Sequence, residues 1–342
     1  MTEEVKSSSP PPAAAAQDPE AVIEVEVDDD IDYDPTYGDE NSTGSTSLGS
    51  SALRYEFKHG RRYHSYQAGQ YSWPNDDTEQ GRLDMIHHVF YRLLEDRLYL
   101  APINPDRGLK VLDIGTGTGL WAIEMGDQHP GAVVVGNDLS PIQPDWVPPN
   151  VRFIVDDVEL DWVEEQDKYD FIHCRYMAGS IKDWPRLVRQ IHAHLKPGGW
   201  AEFQESVNVL YSEDGSLKPD DPMALMMTHL TVACDKIGRT MDPAPSFRRW
   251  AEDAGFARIT EDRRKLPIGG WPRDPRLKEV GTLMGFNFIE GVAAFTAVLF
   301  CDVLGWSREE VEVFNAEVRK ASKNLDVHPI FDFLVVSAQK AE

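Results

Sequence analysis

The stretch Val111-Leu112-Asp113-Ile114-Gly115-Thr116-Gly117-Thr118-Gly119-Leu120-Trp121 determines how the rest of the chain is interpreted. An apolar run ends in an acid, and three glycines at alternate positions lead into residues 120–125, which can begin a helix. This pattern predicts a β-strand, a tight turn and a helix N-terminus. The glycines allow a sharp turn and let a ligand approach main-chain N–H groups without meeting a Cβ atom. The stretch therefore predicts a nucleotide-type binding pocket.

Two widely used nucleotide motifs do not match this spacing. The dinucleotide fingerprint Gly-x-Gly-x-x-Gly would need its third glycine where Leu120 stands, and no Gly-Lys-Ser/Thr of a P-loop follows. The remaining pattern, Asp-x-Gly-x-Gly-x-Gly, resembles motif I of the class I S-adenosylmethionine (SAM) methyltransferases. A glycine-rich turn that binds no ligand is the alternative that this stretch alone leaves open.

The chain is strongly acidic, and its charge is unevenly distributed. Its 342 residues include 34 basic and 58 acidic side chains, which gives a net charge of −24. Residues 1–50 contain 13 acids and one lysine, a net charge of −12, so the other −12 belongs to the rest of the chain. That remainder has no basic stripe, which argues against direct binding to nucleic acid through its phosphates.

The cysteine pattern indicates a protein of a reducing compartment, and the apolar runs are expected to be too short to span a membrane. Cys174, Cys234 and Cys301 are odd in number and far apart, with no Cys-x-x-Cys or His-Glu-x-x-His, so neither disulfides nor a metal site is predicted. The acidic, proline-rich N-terminus is unlike a targeting signal. No apolar run is expected to reach membrane-spanning length, and the nearest, residues 291–304, is predicted to be a buried helix. We expect the protein in the nucleus and cytoplasm.

Residues 1–52 are predicted to form a disordered acidic tail. Pro-Pro-Pro, an alanine run, an acid run and a Ser/Thr/Gly segment cannot bury enough apolar surface to fold alone. Within the tail, residues 22–30 consist of an aliphatic and acidic alternation over residues 22–27 and then three aspartates. This segment is similar to a SUMO-interaction motif, which would add as a strand to the edge of a partner's sheet. A solvated tail without a partner is the alternative.

Alternating strands and helices are predicted from residue 106 to residue 342. Before them, residues 53–105 contain an irregular segment rich in aromatic residues. A helix follows, with apolar side chains at helical spacing over residues 79–100. The first five strands are predicted at residues 109–114, 132–136, 151–155, 169–174 and 200–204, with helices at 119–127 and 184–195. Strands separated by helices predict a parallel sheet with helices on both faces.

The pattern changes after Ser206. Helices are predicted at residues 222–237, 247–254, 275–304 and 307–323, and strands at residues 257–266 and 330–337. The helices around residues 215–325 are expected to form a cap over the active site. A purely structural cap, or a dimer surface, is the alternative for these helices.

Two acidic positions follow further strands of the predicted sheet. Asp138 ends the second strand, where a carboxylate can accept both hydroxyls of a ribose. Asp156 and Asp157 end the third strand, where the methyltransferase pattern places an acid that receives the adenine amino group, and we assign this role to Asp157. The resemblance implies a SAM site formed by Asp113, Gly115, Thr116, Gly117, Gly119, Asp138, Leu139, Asp157, Val158 and His173.

Longer matches narrow the family. The chain contains Arg62-Tyr63-His64-x-Tyr66, Tyr71-x-x-Pro74-Asn75-Asp76, Arg82-Leu83-Asp84-x-x-His87-His88, Asn137-Asp138-Leu139-Ser140-Pro141-Ile142-Gln143-Pro144 and His173-x-Arg175. Over residues 54–265 these motifs resemble the LaeA-like fungal methyltransferases, which regulate secondary metabolism and development. The resemblance implies a Rossmann-like class I methyltransferase fold: a seven-stranded, mostly parallel sheet with helices on both faces, an N-terminal lid segment and a helical insertion near the C-terminus.

The same resemblance implies partners and a lid. The expected partner is a velvet-family protein or a second LaeA-like methyltransferase. The aromatic segment is expected to fold over SAM, where Tyr63, Tyr71 and Trp73 would present ring faces to the sulfonium cation or shield it from water. Packing of these rings against the edge of the sheet is the alternative.

Catalytic candidates lie where the fourth and fifth strands end. Methyl transfer mainly requires an acceptor held in line, and a base is needed only if the acceptor must lose a proton. The candidates are His173, Arg175, Tyr176, Glu202 and Glu205. His173 and Arg175 share a strand face because side chains alternate, and His173 is the best base unless its role is structural.

The acceptor cannot be identified from the residues. Our main hypothesis is a methyltransferase in a regulatory complex with a protein acceptor. A small-molecule O-methyltransferase of secondary metabolism is the first alternative, and a deep apolar pocket beneath residues 223–227 and 283–288 would favour it. A SAM-binding interaction protein with weak or no catalysis is the second.

Overall fold

The structure, a computed structural model, describes residues 55–64, 66, 72–104 and 107–342. The predicted acidic tail, its segment 22–30 and Tyr71 lie outside the described residues. The strands in the described part are β1 (Glu56–Lys58), β2 (Arg61–Tyr63), β3 (Lys110–Ile114), β4 (Val133–Asp138), β5 (Val151–Val155), β6 (Tyr169–Arg175), β7 (Leu195–Tyr211), β8 (Arg258–Pro267) and β9 (Ile330–Gln339). The helices are α1 (Asp77–Leu93), α2 (Leu120–Gln128), α3 (Trp184–His194), α4 (Pro222–Lys236), α5 (Phe247–Ala254), α6 (Pro275–Val298) and α7 (Arg308–Ala321).

Seven strands form one mixed sheet in the order β5-β4-β3-β6-β7-β9-β8. The strands from β5 to β7 in this order are parallel, and β9 lies antiparallel between β7 and β8. The chain switches direction across the sheet at β3, whose neighbours are β4 and β6, and this leaves a crevice at the carboxyl ends of these strands. The predicted class I fold, with its closing antiparallel pair, is confirmed.

Helices cover both faces of the sheet. On one face, α3 and α5 bury a core that includes Ile172 and Phe203. On the other, α2 packs through Trp121 against Phe171 of β6. Since side chains alternate along a strand, His173 shares the α2 face with Phe171, and its ring stacks on Trp121. The sequence pattern of β6 thus directs a histidine toward the helix that follows the glycine turn.

A second helical layer lies over the β7-β9-β8 end of the sheet. α1, α4, α6 and α7 share one apolar core with Leu210 of β7, Leu266 of β8 and Phe333 of β9. α1 begins where Asp76 accepts a hydrogen bond from the N–H of Glu79 at 3.1 Å, which satisfies a free amide of the first turn. This layer closes the crevice on the side away from β5.

α1 ends earlier than the sequence pattern predicts. The apolar spacing continues to Leu98, but the helix stops at Leu93 because Glu95 and Asp96 adopt left-handed conformations with φ of 58° and 61°. The segment that follows is held against β7, where Glu202 accepts hydrogen bonds from the N–H groups of Leu100 and Ala101.

The longest helix corrects one expectation. α6 continues through a π-helical segment, so that residues Pro275–Leu304 form a helix long and apolar enough to cross a membrane by length and composition alone. The expectation that no apolar run reaches that length was therefore wrong. Of its most apolar 18-residue window, 56% is buried inside the structure, and the helix packs against α1 and α7, as a core helix does.

Candidate cofactor and active site

The turn between β3 and α2 presents main-chain groups to the crevice. Gly115, Gly117 and Gly119 have φ of 64°, 58° and 84°, in the left-handed region that glycine adopts without strain. A Cβ atom at Gly115 would lie 2.2 Å from Sδ of Met177, and one at Gly119 would lie 2.4 Å from the ring of Phe153. At Gly117 the nearest contact would be an ordinary 3.6 Å. A side chain at Gly119 would therefore displace the ring of Phe153, and one at Gly115 would displace the flexible end of Met177, whereas Gly117 is open toward the cleft.

Asp138 ends β4 and faces this turn. Its Oδ2 accepts a hydrogen bond from the N–H of Gly117 at 2.9 Å, and its Oδ1 accepts one from Ser140 at 2.9 Å. Burial raises the pKa of Asp138 to about 6 although both amides favour the ionised form. Each carboxylate oxygen retains a further lone pair, which is what acceptance of two ribose hydroxyls requires.

A buried polar cluster lies beneath the glycine turn. His173 Nδ1 is 2.7 Å from Asp113 Oδ1, and Thr116 Oγ1 donates to Asp113 Oδ2 at 2.6 Å. The His173 ring stacks on Trp121 with centroids 3.9 Å apart. Because a carboxylate only accepts, we place the proton on Nδ1, which leaves Nε2 as an acceptor in the neutral tautomer. Within the described part of the chain, Nε2 has no hydrogen-bond partner.

Residues after β4 and β5 complete the nucleotide side of the cleft. Leu139, Asp156, Asp157 and Val158 all line it. Asp157 is half-buried and accepts a hydrogen bond from the N–H of Glu159 at 2.9 Å, whereas Asp156 is exposed. Both acids reach the cleft, so the role assigned to Asp157 stays a prediction.

The cleft continues beyond the glycine turn into an apolar chamber. Cleft and chamber together hold about 1640 Å³ of empty space, including solvent at the mouth. The chamber walls come from α1 and the segment before it, from α4 and from α6, and they include Trp73, Phe90, Met227, Met284, Phe288 and Phe295. The two segments named in the sequence analysis, residues 223–227 and 283–288, therefore do contribute to an apolar pocket.

A buried network forms one wall of the chamber. The guanidinium of Arg82 pairs with Glu79 at 2.7 and 3.0 Å and donates to Asn287 Oδ1 at 3.0 Å. In return, Asn287 Nδ2 donates to the carbonyl of Arg82 at 2.7 Å. The Arg82 guanidinium also lies 4.9 Å from the ring centre of Phe295. This network joins α1 to α6, and sequence reasoning missed its functional position because its members are 205 residues apart.

Tyr176 and Arg175 lie between the cofactor side of the cleft and the chamber. Tyr176 has φ of 58°, an uncommon conformation for a non-glycine residue, and its hydroxyl accepts from Arg82 at 3.3 Å. Arg175 Nη2 donates to His87 Nδ1 at 2.7 Å, and its guanidinium lies 5.5 Å from the ring centre of Phe90. Burial lowers the pKa of Arg175 to about 10. Both predicted residues thus line the cleft, as does His173.

The structure corrects two of the catalytic candidates. Glu205 accepts hydrogen bonds from the N–H groups of Ala178 at 2.9 Å and Ser206 at 3.0 Å, and burial raises its pKa to about 8. Glu202 is bound by the amides that follow α1 and by the hydroxyl of Ser337 at 2.8 Å. Neither carboxyl lines the cleft. Both carboxyls satisfy main-chain donors, and Glu205 in this way holds the loop after β6.

Of the three aromatic residues predicted to form a lid, Trp73 lies at the chamber, and its role toward SAM stays a prediction. Its ring lines the chamber and contacts Phe295 edge to face with centroids 5.3 Å apart. Tyr63 lies in the β1–β2 hairpin, is 4% exposed and does not line the cleft, and burial raises its pKa to about 12. The structure therefore gives Tyr63 a packing role, and Tyr71 is outside the described residues.

The residues that line the cleft fit SAM. An open glycine turn gives a nucleoside close access to main-chain N–H groups, and Asp138 lies beside it with acceptor capacity for a ribose. Aromatic rings on the chamber side suit a sulfonium cation. In the part of the chain that the structure describes, no group of three or more His, Cys, Asp or Glu side chains is arranged to hold a metal ion.

Comparison with known proteins identifies the family. A family model described as a methyltransferase domain matches residues 85–261. Methyltransferase pytC of Aspergillus terreus is 64% identical over 312 residues, covering 91% of this chain and 95% of that protein. The secondary metabolism regulator LAE1 of Cochliobolus heterostrophus is 33% identical over 290 residues, covering 83% and 94%. The protein-methionine methyltransferase laeA of Emericella nidulans is 33% identical over 313 residues, covering 88% and 82%.

These relatives span most of the described fold, and two of them, pytC and the laeA protein of Emericella nidulans, are named as methyltransferases. Their identity and coverage, together with the sheet order and the glycine turn, bear out the resemblance seen in the sequence. The enzyme uses SAM as its cofactor. The chain belongs to the LaeA-like family of class I SAM-dependent methyltransferases.

Proposed function

We propose that this enzyme methylates a small apolar molecule held in the chamber between α1, α4 and α6. The observation that carries the proposal is the continuity of the chamber with the cleft below the glycine turn. Binding sites for small molecules are mostly apolar concavities with a few oriented polar groups, and this chamber has that composition. The fact that pytC, 64% identical, is named a methyltransferase and not a regulator is consistent with it.

Methyl transfer requires a correctly positioned acceptor more than it requires covalent catalysis by the protein. Bound SAM supplies an electrophilic methyl group on a sulfonium cation. Side chains of the chamber would hold the acceptor in line, and well-oriented reactants can gain up to about 7–11 kcal/mol over free ones. Ser206, Asn208 and Tyr176 provide the polar groups of the wall that could orient an acceptor oxygen or nitrogen.

The proposal can be tested with two acceptor pools from the same cells. Purified enzyme and SAM labelled in its methyl group are incubated separately with an organic extract and with a dialysed protein fraction of cells that express this gene. We expect label in a small organic product. Label that appears in protein alone would refute the proposal.

A chamber-filling variant connects the result to the chamber. Met284→Trp adds volume at a residue that is 5% exposed and lines the chamber, so it should abolish labelling of the small molecule while SAM still binds. Val313→Trp, at a residue of α7 that is 62% exposed and does not line the cleft, is the matched control and should leave labelling unchanged. If both variants are equally active, the acceptor is held elsewhere.

A protein acceptor within a regulatory complex is the second candidate. It is favoured by the laeA protein of Emericella nidulans, 33% identical, whose name gives protein methionine as the acceptor. In this case a velvet-family protein or a second LaeA-like methyltransferase would be the partner, and the enzyme would act in the nucleus and cytoplasm. Mass spectrometry of the labelled protein fraction tests it, because the added methyl group must then be found on a methionine side chain.

A further inference from the structure

Three arginines line the cleft, and they differ in how their charge is balanced. Arg82 is paired with Glu79 at 2.7 Å, and Arg239 is 3.4 Å from Glu159. Arg175 forms no ion pair within 4.0 Å with any carboxylate in the part of the chain that the structure describes. A guanidinium has five N–H donors in a planar fork, and here one of them is used, toward His87.

His87 cannot neutralise Arg175. Since a guanidinium only donates, His87 Nδ1 accepts, so the histidine carries its proton on Nε2, which lies 3.2 Å from Glu124. Burial and the neighbouring Arg175 lower the pKa of His87 against the opposing effect of Glu124, which agrees with the neutral ring that the hydrogen bond requires. The interaction orients the guanidinium and leaves its positive charge unpaired.

An unpaired cation inside a protein is costly unless an anion is bound beside it. Burial lowers the pKa of Arg175 to about 10, which is still high enough for the side chain to be charged at pH 7. The carboxylates of Asp113, Glu124 and Glu202 attract the guanidinium from a distance, and none of them forms an ion pair with it within 4.0 Å. A planar guanidinium with free parallel donors matches a carboxylate, which it can bind through two hydrogen bonds.

Arg175 lies between the cofactor side of the cleft and the apolar chamber. It follows His173 by two residues on the same face of β6, so it lies next to the polar cluster beneath the glycine turn. On its other side, the guanidinium lies over Phe90, a wall residue of the apolar chamber.

We propose that Arg175 is a carboxylate-binding residue at the boundary between the cofactor site and the chamber. The carboxylate belongs either to the amino-acid end of SAM or to the acceptor molecule. The first source requires only the cofactor, whereas the second rests on the proposed small-molecule function. His87 is the positioning residue that orients the guanidinium.

Calorimetric titration of the full chain separates the two sources. The cofactor pair is SAM and decarboxylated SAM, which lacks the carboxylate. The acceptor pair is 4-phenylbutyrate and 4-phenylbutyramide, titrated in the presence of S-adenosylhomocysteine. The proteins are the wild type, Arg175→Gln, Arg175→Lys and, as a control, Arg249→Gln at an exposed position of α5 outside the cleft. Circular dichroism checks that each variant is folded.

If SAM supplies the carboxylate, Arg175→Gln should weaken SAM binding roughly 10- to 100-fold and leave decarboxylated SAM unchanged. If the acceptor supplies it, the same loss should affect phenylbutyrate and spare the amide. Arg175→Lys keeps the charge but lacks the planar pair of donors, so its affinity for the carboxylate ligand should fall less than that of Arg175→Gln. Arg249→Gln should bind every ligand with wild-type affinity.

The proposal is overturned if Arg175→Gln binds all four ligands as the wild type does. Should that variant fail to fold, the wild type still decides, because equal affinities within both ligand pairs would show that no carboxylate is recognised. A failure of the small-molecule function would remove only the phenylbutyrate result, since the SAM pair does not depend on it.

Discussion

Substitution of single glycines in the turn after β3 should separate a packing role from a cofactor role. Gly117→Ala and Gly119→Ala both place an alanine in the left-handed region, at φ of 58° and 84°. That conformation costs an L-residue about 1–2 kcal/mol. At Gly119 the new Cβ would also lie 2.4 Å from the ring of Phe153, whereas at Gly117 the nearest contact is 3.6 Å.

The overlap at Gly119 sets the expected difference in stability. Overpacking a buried site typically costs a further ~1–3 kcal/mol, so the free energy of unfolding should fall by about 2–5 kcal/mol in Gly119→Ala and about 1–2 kcal/mol in Gly117→Ala. SAM affinity should respond in the opposite order. Gly117→Ala places a methyl group on the open face of the turn and should weaken SAM binding by at least about tenfold, or 1.4 kcal/mol.

Urea unfolding of the ligand-free protein and calorimetric titration of SAM measure the two quantities. Gly131→Ala is the control, because a Cβ there meets nothing within 4 Å at an ordinary φ, and both its stability and its SAM affinity should match the wild type. Equal losses of stability in the two turn variants, or wild-type SAM affinity in Gly117→Ala, would refute this account of the turn.

Three further predictions follow from buried polar groups. Since burial raises the pKa of Asp138 to about 6, protonation of this carboxylate should lower SAM affinity roughly tenfold per pH unit below pH 6. In titrations between pH 5 and 8, Asp138→Asn should lose most of the affinity and show no such pH dependence. The same raised pKa means that the ligand-free fold binds this proton more tightly than the unfolded chain, so stability falls as the pH rises from about 4 to 6. Folding raises the pKa of Glu205 from 4.5 to about 8, so the wild type should lose up to about 4 kcal/mol of unfolding free energy, relative to Glu205→Gln, between pH 4.5 and pH 8. Urea unfolding that gives the same difference between the two proteins at every pH would contradict this. Asn287→Leu removes an acceptor from the buried Arg82 guanidinium and should cost about 1–3 kcal/mol of unfolding free energy, and a cost near zero would show that water replaces the amide.

The cofactor side of the cleft was predictable because it is built from strand ends. In a parallel sheet the carboxyl ends of successive strands lie at one edge, so Asp113, Asp138 and Asp157 could be placed together from strand positions alone. Each of these aspartates also lies at a turn that follows a strand. Periodicity likewise predicted most strands within one or two residues, including β5 with both of its bounds.

The chamber and the role of the glutamates were harder to predict. Whether an acid on a strand faces a ligand or binds main-chain amides depends on segments far away in sequence, and the amides that Glu202 binds lie about a hundred residues earlier. The contact of Arg82 with Asn287 likewise depends on how α1 meets α6. β7 was predicted too short for the same reason, because its second half is held by antiparallel pairing with β9 up to Tyr211.

The place of β9 in the sheet determines when the newly made chain can fold and how it responds to truncation. Residues Ile330–Gln339 pair with β7 on one side and with β8 on the other, so they form an interior strand of the sheet. A ribosome must therefore translate beyond codon 339 before this half of the sheet can assemble. A nonsense mutation even fifteen codons upstream of that point would leave two long strand edges unpaired. Loss-of-function alleles should accordingly include late truncations, whose products the cell would recognise as misfolded and degrade.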